Sequence, residues 1–224
     1  MSPDTELQLY SYYRSSAAYR VRIVLALKGL SWKSIPVNLL KGEQKQAGYL
    51  QHNPQGLVPA LRVQGTQEDA GLITQSLAII EYLEECHSHP SIMPSSAMAR
   101  AQARSLAQQV AMDIHPLNNP RVTQYLQQTL GADESQKTDW YQHWIAQGFG
   151  AFERNLEGLA RTGDYCIGNS VTVADICLIP QVYNALRFNC SMQNYPLINA
   201  IYKHCTTMPA FIAASPESQP DCSV

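Results

Sequence analysis

Two adjacent serines, Ser15 and Ser16, lie where a strand-like stretch of the sequence gives way to a helix-like one. Residues 7–12 alternate between apolar and polar side chains, and apolar residues from Tyr19 to Leu30 recur at helical spacing. A serine at a helix start caps unpaired N–H groups, and those groups and the helix dipole also attract anions. A hydroxyl there can donate a charge-assisted hydrogen bond to a thiolate, whose pKa a helix N-terminus lowers. The pair therefore suits a plain helix cap, which is the commoner use, or the binding of an anion.

The part of the sequence that contains these serines has no cysteine up to residue 85. All six cysteines lie from Cys86 onward, no Cys-x-x-Cys pair is present, and no Cys/His group has the spacing of a zinc site. We therefore expect no metal.

The composition is that of an ordinary globular protein, with 45% hydrophobic and 15% charged residues and a net charge of -2. This balance gives no sign of a nucleic-acid or membrane partner, which usually needs a basic face. The first residues show no signal peptide, and no apolar run is long enough to span a bilayer. We expect a soluble, cytoplasmic protein.

The pattern of elements divides the 224 residues into two parts. The first part has the order strand, helix, strand, short helix, strand, strand, helix, which predicts an α/β unit with a mixed sheet. Its predicted strands cover residues 7–12, 32–39, 58–63 and 72–73, and its longer predicted helices cover residues 19–30 and 76–86.

A stretch with two prolines and several serines then predicts a linker, and beyond it only helices are expected. These helices cover residues 97–114, 121–130, 136–159, 172–188 and 197–208, and a loosely held tail is expected from residue 215. The start of one helix is marked by a capping box at Thr172 and Asp175, with Val171 and Ile176 placed as its hydrophobic staple. The expected domains are residues 1–87, a linker at 88–96, and an all-helical domain at 97–224.

Four segments resemble the soluble glutathione transferases, in the order and at the separations of that family. Residues 12–23, Tyr-Tyr-Arg-Ser-Ser-Ala-Ala-Tyr-Arg-Val-Arg-Ile, resemble the zeta-class signature Ser-Ser-Cys-x-Trp-Arg-Val-Arg-Ile. Residues 53–61 resemble the loop before the cis-proline of the thioredoxin-like fold, residues 74–83 the Gln-Ser element, and residues 168–175 the shared helix-capping segment. The resemblance implies a thioredoxin-like α/β N-terminal domain, an all-α C-terminal domain and a homodimer.

The resemblance also implies that glutathione is the cofactor and that its thiolate is held by Ser15 or Ser16, with Ser15 favoured. Val58, before Pro59, would offer its N–H and C=O to the cysteinyl part of the tripeptide, as in strand-style recognition. The sequence does not show whether the Val58–Pro59 bond is cis.

Other parts of glutathione would meet residues elsewhere in the chain. Gln75 and Ser76, at another predicted helix start, suit the γ-glutamyl carboxylate. The family places Gln44 near the glycyl end and lets Asn119 reach glutathione from the second domain. Each serine or glutamine also has a plain reading as a helix cap or a surface side chain.

By the same resemblance, Arg14 and Arg187 would bind the carboxylates of the substrate, since a guanidinium can bind a carboxylate through two hydrogen bonds. His115 would hydrogen-bond the substrate or move a proton. The implied reaction is isomerisation of a small unsaturated dicarboxylate, such as maleylacetoacetate to fumarylacetoacetate in aromatic amino-acid breakdown. The thiolate adds to the cis double bond, the bond rotates, and the thiolate leaves.

Several alternatives remain open. A general glutathione transferase, acting by conjugation or dehalogenation, would share the glutathione residues, and a maleylpyruvate-type isomerase would share the arginines as well. Tyrosines at the end of the first strand allow a tyrosine-type transferase, and a non-enzymatic interaction module is a further possibility. Ala17 and Tyr19 stand where many zeta enzymes have Cys and Trp, which argues against thiol-disulfide chemistry with glutathione at Ala17.

Overall fold

The computed structural model describes residues 6–65, 70–159 and 163–222 of the chain. These residues form two compact units. The first unit combines the described residues up to Ser91 with those from Met208 onward, and the second unit is Ile92–Thr207. The sequence had suggested that residues 97–224 form one domain, whereas the structure groups residues 208–222 with the first unit.

The first unit is built on a four-stranded sheet. Its strands are β1 (Glu6–Ser11), β2 (Lys33–Pro36), β3 (Ala60–Gln64) and β4 (Gly71–Thr74). The spatial order is β2-β1-β3-β4, with β1 and β2 parallel and the other two pairs antiparallel. The mixed sheet is therefore as predicted. β2 is shorter than the predicted strand because only its four residues pair with β1.

Three helices complete the first part of this unit: α1 (Ser16–Leu27), α2 (Ala47–Leu50) and α3 (Ser76–Cys86). A 3-10 turn, Glu43–Lys45, precedes α2. Helix α1 ends before Gly29, whose φ of 63° is a conformation that side chains with a Cβ rarely adopt. Most of α1 is buried, including Arg20 and Arg22, so its polar groups must find partners inside the unit.

The second unit is helical throughout its described elements. Its helices are α4 (Ala97–Gln108), α5 (Pro120–Gln128), α6 (Glu134–Glu157), α7 (Val173–Arg187) and α8 (Pro196–Cys205). Helix α4 continues through a π-helical turn, Gln109–Ile114, into a 3-10 turn, His115–Asn118. Helix α7 is the central element, because it is buried continuously from its start to Val182.

The predicted capping box of α7 is confirmed. The carboxylate of Asp175 is fully buried and accepts hydrogen bonds of 2.8 Å from the Thr172 amide, the Thr172 hydroxyl and the Cys166 amide. Burial raises the pKa of this carboxyl, and the three hydrogen bonds act in the opposite direction. Asp175 therefore fixes both the start of α7 and the chain that leads to it.

We call residues 208–222 the return segment, since they bring the chain back to the first unit. The segment contains α9 (Pro209–Ala214) and a 3-10 turn, Pro216–Ser218. The expectation of a loosely held tail from residue 215 was wrong for the described part. Gln219 is buried and donates hydrogen bonds to the carbonyls of Ala213 and Ser215, so side-chain anchors hold a stretch that has no apolar periodicity. Across the described ranges, no helix has the length and hydropathy needed to cross a membrane.

Candidate functional site

The register of the sheet brings three candidate segments to one edge. Tyr10 pairs with Ala60, and Ala60 pairs with Thr74, so the end of β1, the start of β3 and the end of β4 lie in one row. Ser15 and Ser16 follow β1, Val58 and Pro59 precede β3, and Gln75 and Ser76 follow β4. Residues far apart in sequence therefore approach the same edge.

Ser15 is the N-cap of α1. Its backbone is extended, with φ -69° and ψ 114°, and its Oγ accepts a hydrogen bond of 3.2 Å from the Ala18 amide. Its own amide donates to the Tyr12 carbonyl at 2.9 Å. A hydroxyl that accepts one hydrogen bond still has its hydrogen to donate. No acceptor for that hydrogen is found among the residues in the described ranges, so Ser15 can cap α1 and donate to an anion at once. Ser16 is the first residue of α1 and is buried.

The peptide before Val58 is held in one orientation. The Leu57 carbonyl accepts hydrogen bonds from the Tyr49 hydroxyl at 2.5 Å and from the Asn53 side-chain amide at 2.8 Å. The N–H of Val58 therefore points away from Tyr49 and Asn53, because a trans peptide carries its C=O and N–H on opposite sides. Burial raises the pKa of Tyr49 to about 12, which keeps this phenol protonated and able to donate. The next bond, Val58–Pro59, is cis.

Gln75 has an unusual backbone conformation, with φ 72° and ψ 120°. Such a conformation costs a residue with a Cβ roughly 1–3 kcal/mol and is concentrated at functional sites. Its side chain donates to Gln55 Oε1 at 2.7 Å and does not cap α3, so the N-terminus of α3 keeps N–H groups for an anion. Ser76 Oγ accepts from Arg20 Nη1 at 3.3 Å, which places a buried positive charge beside the same helix start.

The turn that contains Gln44 lies close to this edge. Gly56 has a φ of 62°, and a Cβ there would lie 2.9 Å from the Gln44 carbonyl oxygen. Only glycine allows this close approach, which places the Gln44 turn against Gly56, two residues before Val58 in the sequence. Arg14, next to Ser15, is exposed, and its guanidinium carbon lies 4.9 Å from the centre of the Tyr13 ring. Its guanidinium is therefore accessible to a carboxylate.

The other candidates lie in the second unit. His115 begins the 3-10 turn after α4, and this turn is held by a 2.9 Å hydrogen bond from Trp140 Nε1 to the Leu117 carbonyl. Helix α6 approaches this turn closely at Gly148, which has no Cβ. A Cβ there would collide with the Ile114 side chain. His115 is thus presented by a well-supported backbone.

Arg187 is the last residue of α7, away from the His115 turn in sequence. Its side chain is exposed, and its Nη1 donates to Asn184 Oδ1 at 3.0 Å. The guanidinium carbon also lies 5.5 Å from the centre of the Phe188 ring. Asn184 and Phe188 hold one side of the guanidinium and leave the rest of its donors for a carboxylate.

The structure gives different tasks to the two neighbouring asparagines. Asn119 is the N-cap of α5, and its Oδ1 accepts from the Arg121 amide at 3.1 Å. Asn118 is 6% exposed, and neither polar atom of its side chain has a hydrogen-bond partner in the described part of the chain. A buried amide without partners is costly, so Asn118 is a ligand-binding candidate that the sequence prediction missed. The signal available in the sequence was Pro120. A proline at N1 indicates that the residue before it, Asn119, is the N-cap, which leaves Asn118 for another role.

The residues at the sheet edge fit glutathione. Ser15 supplies a hydroxyl donor at one helix N-terminus, a second uncapped N-terminus lies behind Gln75, and the Val58 amide has a fixed orientation. These are the groups that a thiolate, a carboxylate and an extended peptide backbone need.

Comparison with known proteins agrees with this geometry. Residues 14–86 match the N-terminal domain of glutathione S-transferase, and residues 116–214 match its C-terminal domain. The chain therefore belongs to the glutathione S-transferase family, in its zeta class, the class of a bacterial maleylpyruvate isomerase that it resembles. That structure superposes with a TM-score of 0.91 at 41% identity and covers 96% of this chain and 100% of its own.

Two further relatives are similar over their full lengths. The maleylacetoacetate isomerase of Pseudomonas aeruginosa is 44% identical over 219 residues, which are 96% of this chain and 98% of the relative. The maleylacetoacetate isomerase of Anaeromyxobacter dehalogenans 2CP-1, solved with glutathione in its active site, has a TM-score of 0.88 at 38% identity. It covers 98% of this chain and 99% of its own.

Proposed function

We propose that this chain is a glutathione-dependent isomerase that converts maleylacetoacetate to fumarylacetoacetate. The observation that carries the proposal is the Ser15 hydroxyl, which caps α1 and keeps its hydrogen for a thiolate at the sheet edge. The relatives named as maleylacetoacetate isomerases support the substrate. We place the reaction in tyrosine and phenylalanine breakdown, in the cytoplasm, and expect the working form to be a homodimer.

Within the first unit, each residue at the sheet edge has a proposed task. Ser15 donates to the glutathione sulfur with help from Ser16, Val58 pairs with the cysteinyl backbone, and Gln75 with Ser76 binds the γ-glutamyl carboxylate. Gln44 meets the glycyl end. Bound glutathione would supply a thiolate that adds to the cis double bond and moves its electron pair to the conjugated carbonyl. The bond, now single, can rotate, and return of the electron pair restores the double bond and expels the thiolate, so glutathione is not consumed. The helix dipole and the Ser15 hydroxyl keep the sulfur ionised at neutral pH.

The second unit is proposed to supply substrate contacts. Arg187 is proposed to bind a substrate carboxylate through the donors that Asn184 and Phe188 leave available. Arg14, an exposed arginine of the first unit, is likewise proposed as a carboxylate ligand. His115 is placed to hydrogen-bond the substrate or move a proton. Asn118, with its buried unpaired amide, is proposed as a ligand contact in addition to the predicted Asn119.

The test is isomerisation of maleylacetoacetate by the purified protein, followed by absorbance with and without glutathione. We expect turnover that needs glutathione only in catalytic amount. Arg187→Met should raise KM for the substrate, while Arg121→Met, which alters an exposed arginine of α5, should leave it unchanged. Turnover that does not require glutathione would contradict the proposal.

A second candidate substrate is maleylpyruvate, favoured by the similarity to the maleylpyruvate isomerase structure. The two substrates share a cis double bond and two carboxylates, so the same arginines would serve both. The ratio of kcat/KM for the two acids decides between them. Conjugation of a halogenated acid or aryl halide without isomerisation of either acid would assign the chain to general glutathione transfer.

A further inference from the structure

The backbone that leads into Ser15 is held by a buried arginine. Arg22 is 1% exposed, and it donates from Nη2 to the Tyr13 carbonyl at 3.0 Å and from Nη1 to Ser11 Oγ at 3.1 Å. Its Nε donates to the Ala214 carbonyl of the return segment at 2.9 Å. One guanidinium therefore joins the stretch before Ser15 to the return segment.

A second side chain holds the same stretch from the return segment itself. Asp221 Oδ2 accepts a 3.0 Å hydrogen bond from the Tyr13 amide, across 208 residues of sequence. The Tyr13 residue thus has its N–H bound to Asp221 and its C=O bound to Arg22. With both groups fixed, the peptide planes on either side of Tyr13 have little freedom to rotate.

Packing ties the return segment to the site by further contacts. The Tyr19 hydroxyl, on α1, donates to the Phe211 carbonyl at 3.2 Å. Cys222 packs against the cluster of buried residues that contains both Tyr13 and Val58. The segment therefore contacts α1, the loop before Ser15 and the cluster beside the Val58 amide.

We propose that the return segment is part of the thiolate site, with Asp221 and Arg22 as positioning residues for Ser15. The proposal rests on the proposed role of Ser15 in holding the glutathione thiolate. The Ser15 hydroxyl is useful only while its hydrogen is directed at the sulfur, and its direction follows from the backbone two residues earlier. A displacement of about 1 Å at a reacting group can reduce a rate by up to roughly 100-fold.

Asp221 is the better residue to test, because its removal breaks one bond to the loop. Removal of Arg22 would take the donor from the Tyr13 and Ala214 carbonyls and from the Ser11 hydroxyl at once. Leucine and asparagine both branch at Cγ, as aspartate does, so the side chains of Asp221→Leu and Asp221→Asn have similar shapes. Asparagine keeps an oxygen that can accept from the Tyr13 amide, and leucine does not. Glu85→Leu serves as control, since it removes an exposed carboxylate of the same unit outside the return segment.

Two measurements test the proposal. Amide hydrogen exchange of the protein without glutathione reports the Tyr13 N–H directly, and the ultraviolet absorbance of bound thiolate against pH reports the pKa of the glutathione thiol. For Asp221→Leu we expect Tyr13 to exchange at least about 10-fold faster and kcat to fall roughly 10-fold with a raised thiol pKa. Asp221→Asn should recover most of both, and Glu85→Leu should match wild type.

The outcomes separate this proposal from the proposed function. If wild type fails to bind glutathione or to ionise its thiol, the role of Ser15 fails, whatever Tyr13 exchange shows. If wild type binds and ionises glutathione and Asp221→Leu gives the same thiol pKa and kcat, the positioning role is wrong. If Asp221→Leu does not fold, Asp221→Ala replaces it, and equal values for the Ala and Asn variants would overturn the proposal.

Discussion

Ser15 and Ser96 form a matched pair that separates capping from catalysis. Each is the N-cap of its helix, and each Oγ accepts from the amide three residues on at 3.2 Å. Replacing either serine by alanine removes the same bond, so each change should cost about 1 kcal/mol of stability. Ser15 belongs to the unit with the proposed thiolate site, whereas Ser96 begins a helix of the second unit.

The functional cost at Ser15 follows from the bond that its hydrogen would make. A hydrogen bond to a charged group contributes about 1.5–3 kcal/mol, so its loss should raise the thiol pKa of bound glutathione by roughly one to two units. We expect Ser15→Ala to lower kcat/KM roughly 10- to 150-fold at neutral pH, and Ser96→Ala to leave kcat/KM within about 2-fold of wild type.

Ser15→Gly gives the sharper comparison, because glycine at an N-cap costs only a few tenths of a kcal/mol. This variant should be nearly as stable as wild type and still lose the thiolate donor. The assay pairs thermal unfolding with pH titration of the thiolate absorbance. A Ser15→Gly protein with a normal thiol pKa and normal kcat would refute the reasoning and make Ser15 a cap alone.

Three further outcomes follow from contacts elsewhere. Asp175→Ala leaves three buried donors without an acceptor. In urea titration it should therefore lower the free energy of unfolding by about 3–5 kcal/mol. A loss under about 1 kcal/mol would show that water replaces the carboxylate. Because the pKa of Tyr49 is raised to about 12 in the folded state, its contribution to stability should be complete below pH 10 and lost between about pH 10 and 12. The pH dependence of unfolding should therefore differ between wild type and Tyr49→Phe only in that window. In thiol titration of the native protein, Cys86 and Cys222, which are partly exposed, should react first, and the four buried thiols should react only on unfolding.

The sequence predicted those features that depend on local patterns and on the family signature. The family, the fold class and helix Ser76–Cys86 are confirmed, since these follow from short-range periodicity, caps and ordered motifs. The roles of Ser15, Val58 and the other site residues remain predictions, although the sheet register brings those of the first unit to one edge.

What the sequence did not predict depends on contacts between distant residues. The anchoring of the return segment by Asp221 uses a partner 208 residues away, and no periodicity near Pro216 or Pro220 indicates it. The positive φ of Gln75 and the buried amide of Asn118 likewise become visible only when their surroundings are in place. The short β2 reflects its pairing partner more than its own composition.

The return segment also has a consequence for the order in which the protein is completed. During synthesis, residues 92–207 leave the ribosome before residues 208–222. The second unit can therefore fold before Arg22 has bound the Ala214 carbonyl and before Tyr13 has bound Asp221. Domains usually fold in the order of their synthesis, the N-terminal one first. Here we expect the first unit to be completed last, because its loop at Ser15 is fixed only after the return segment has been synthesised.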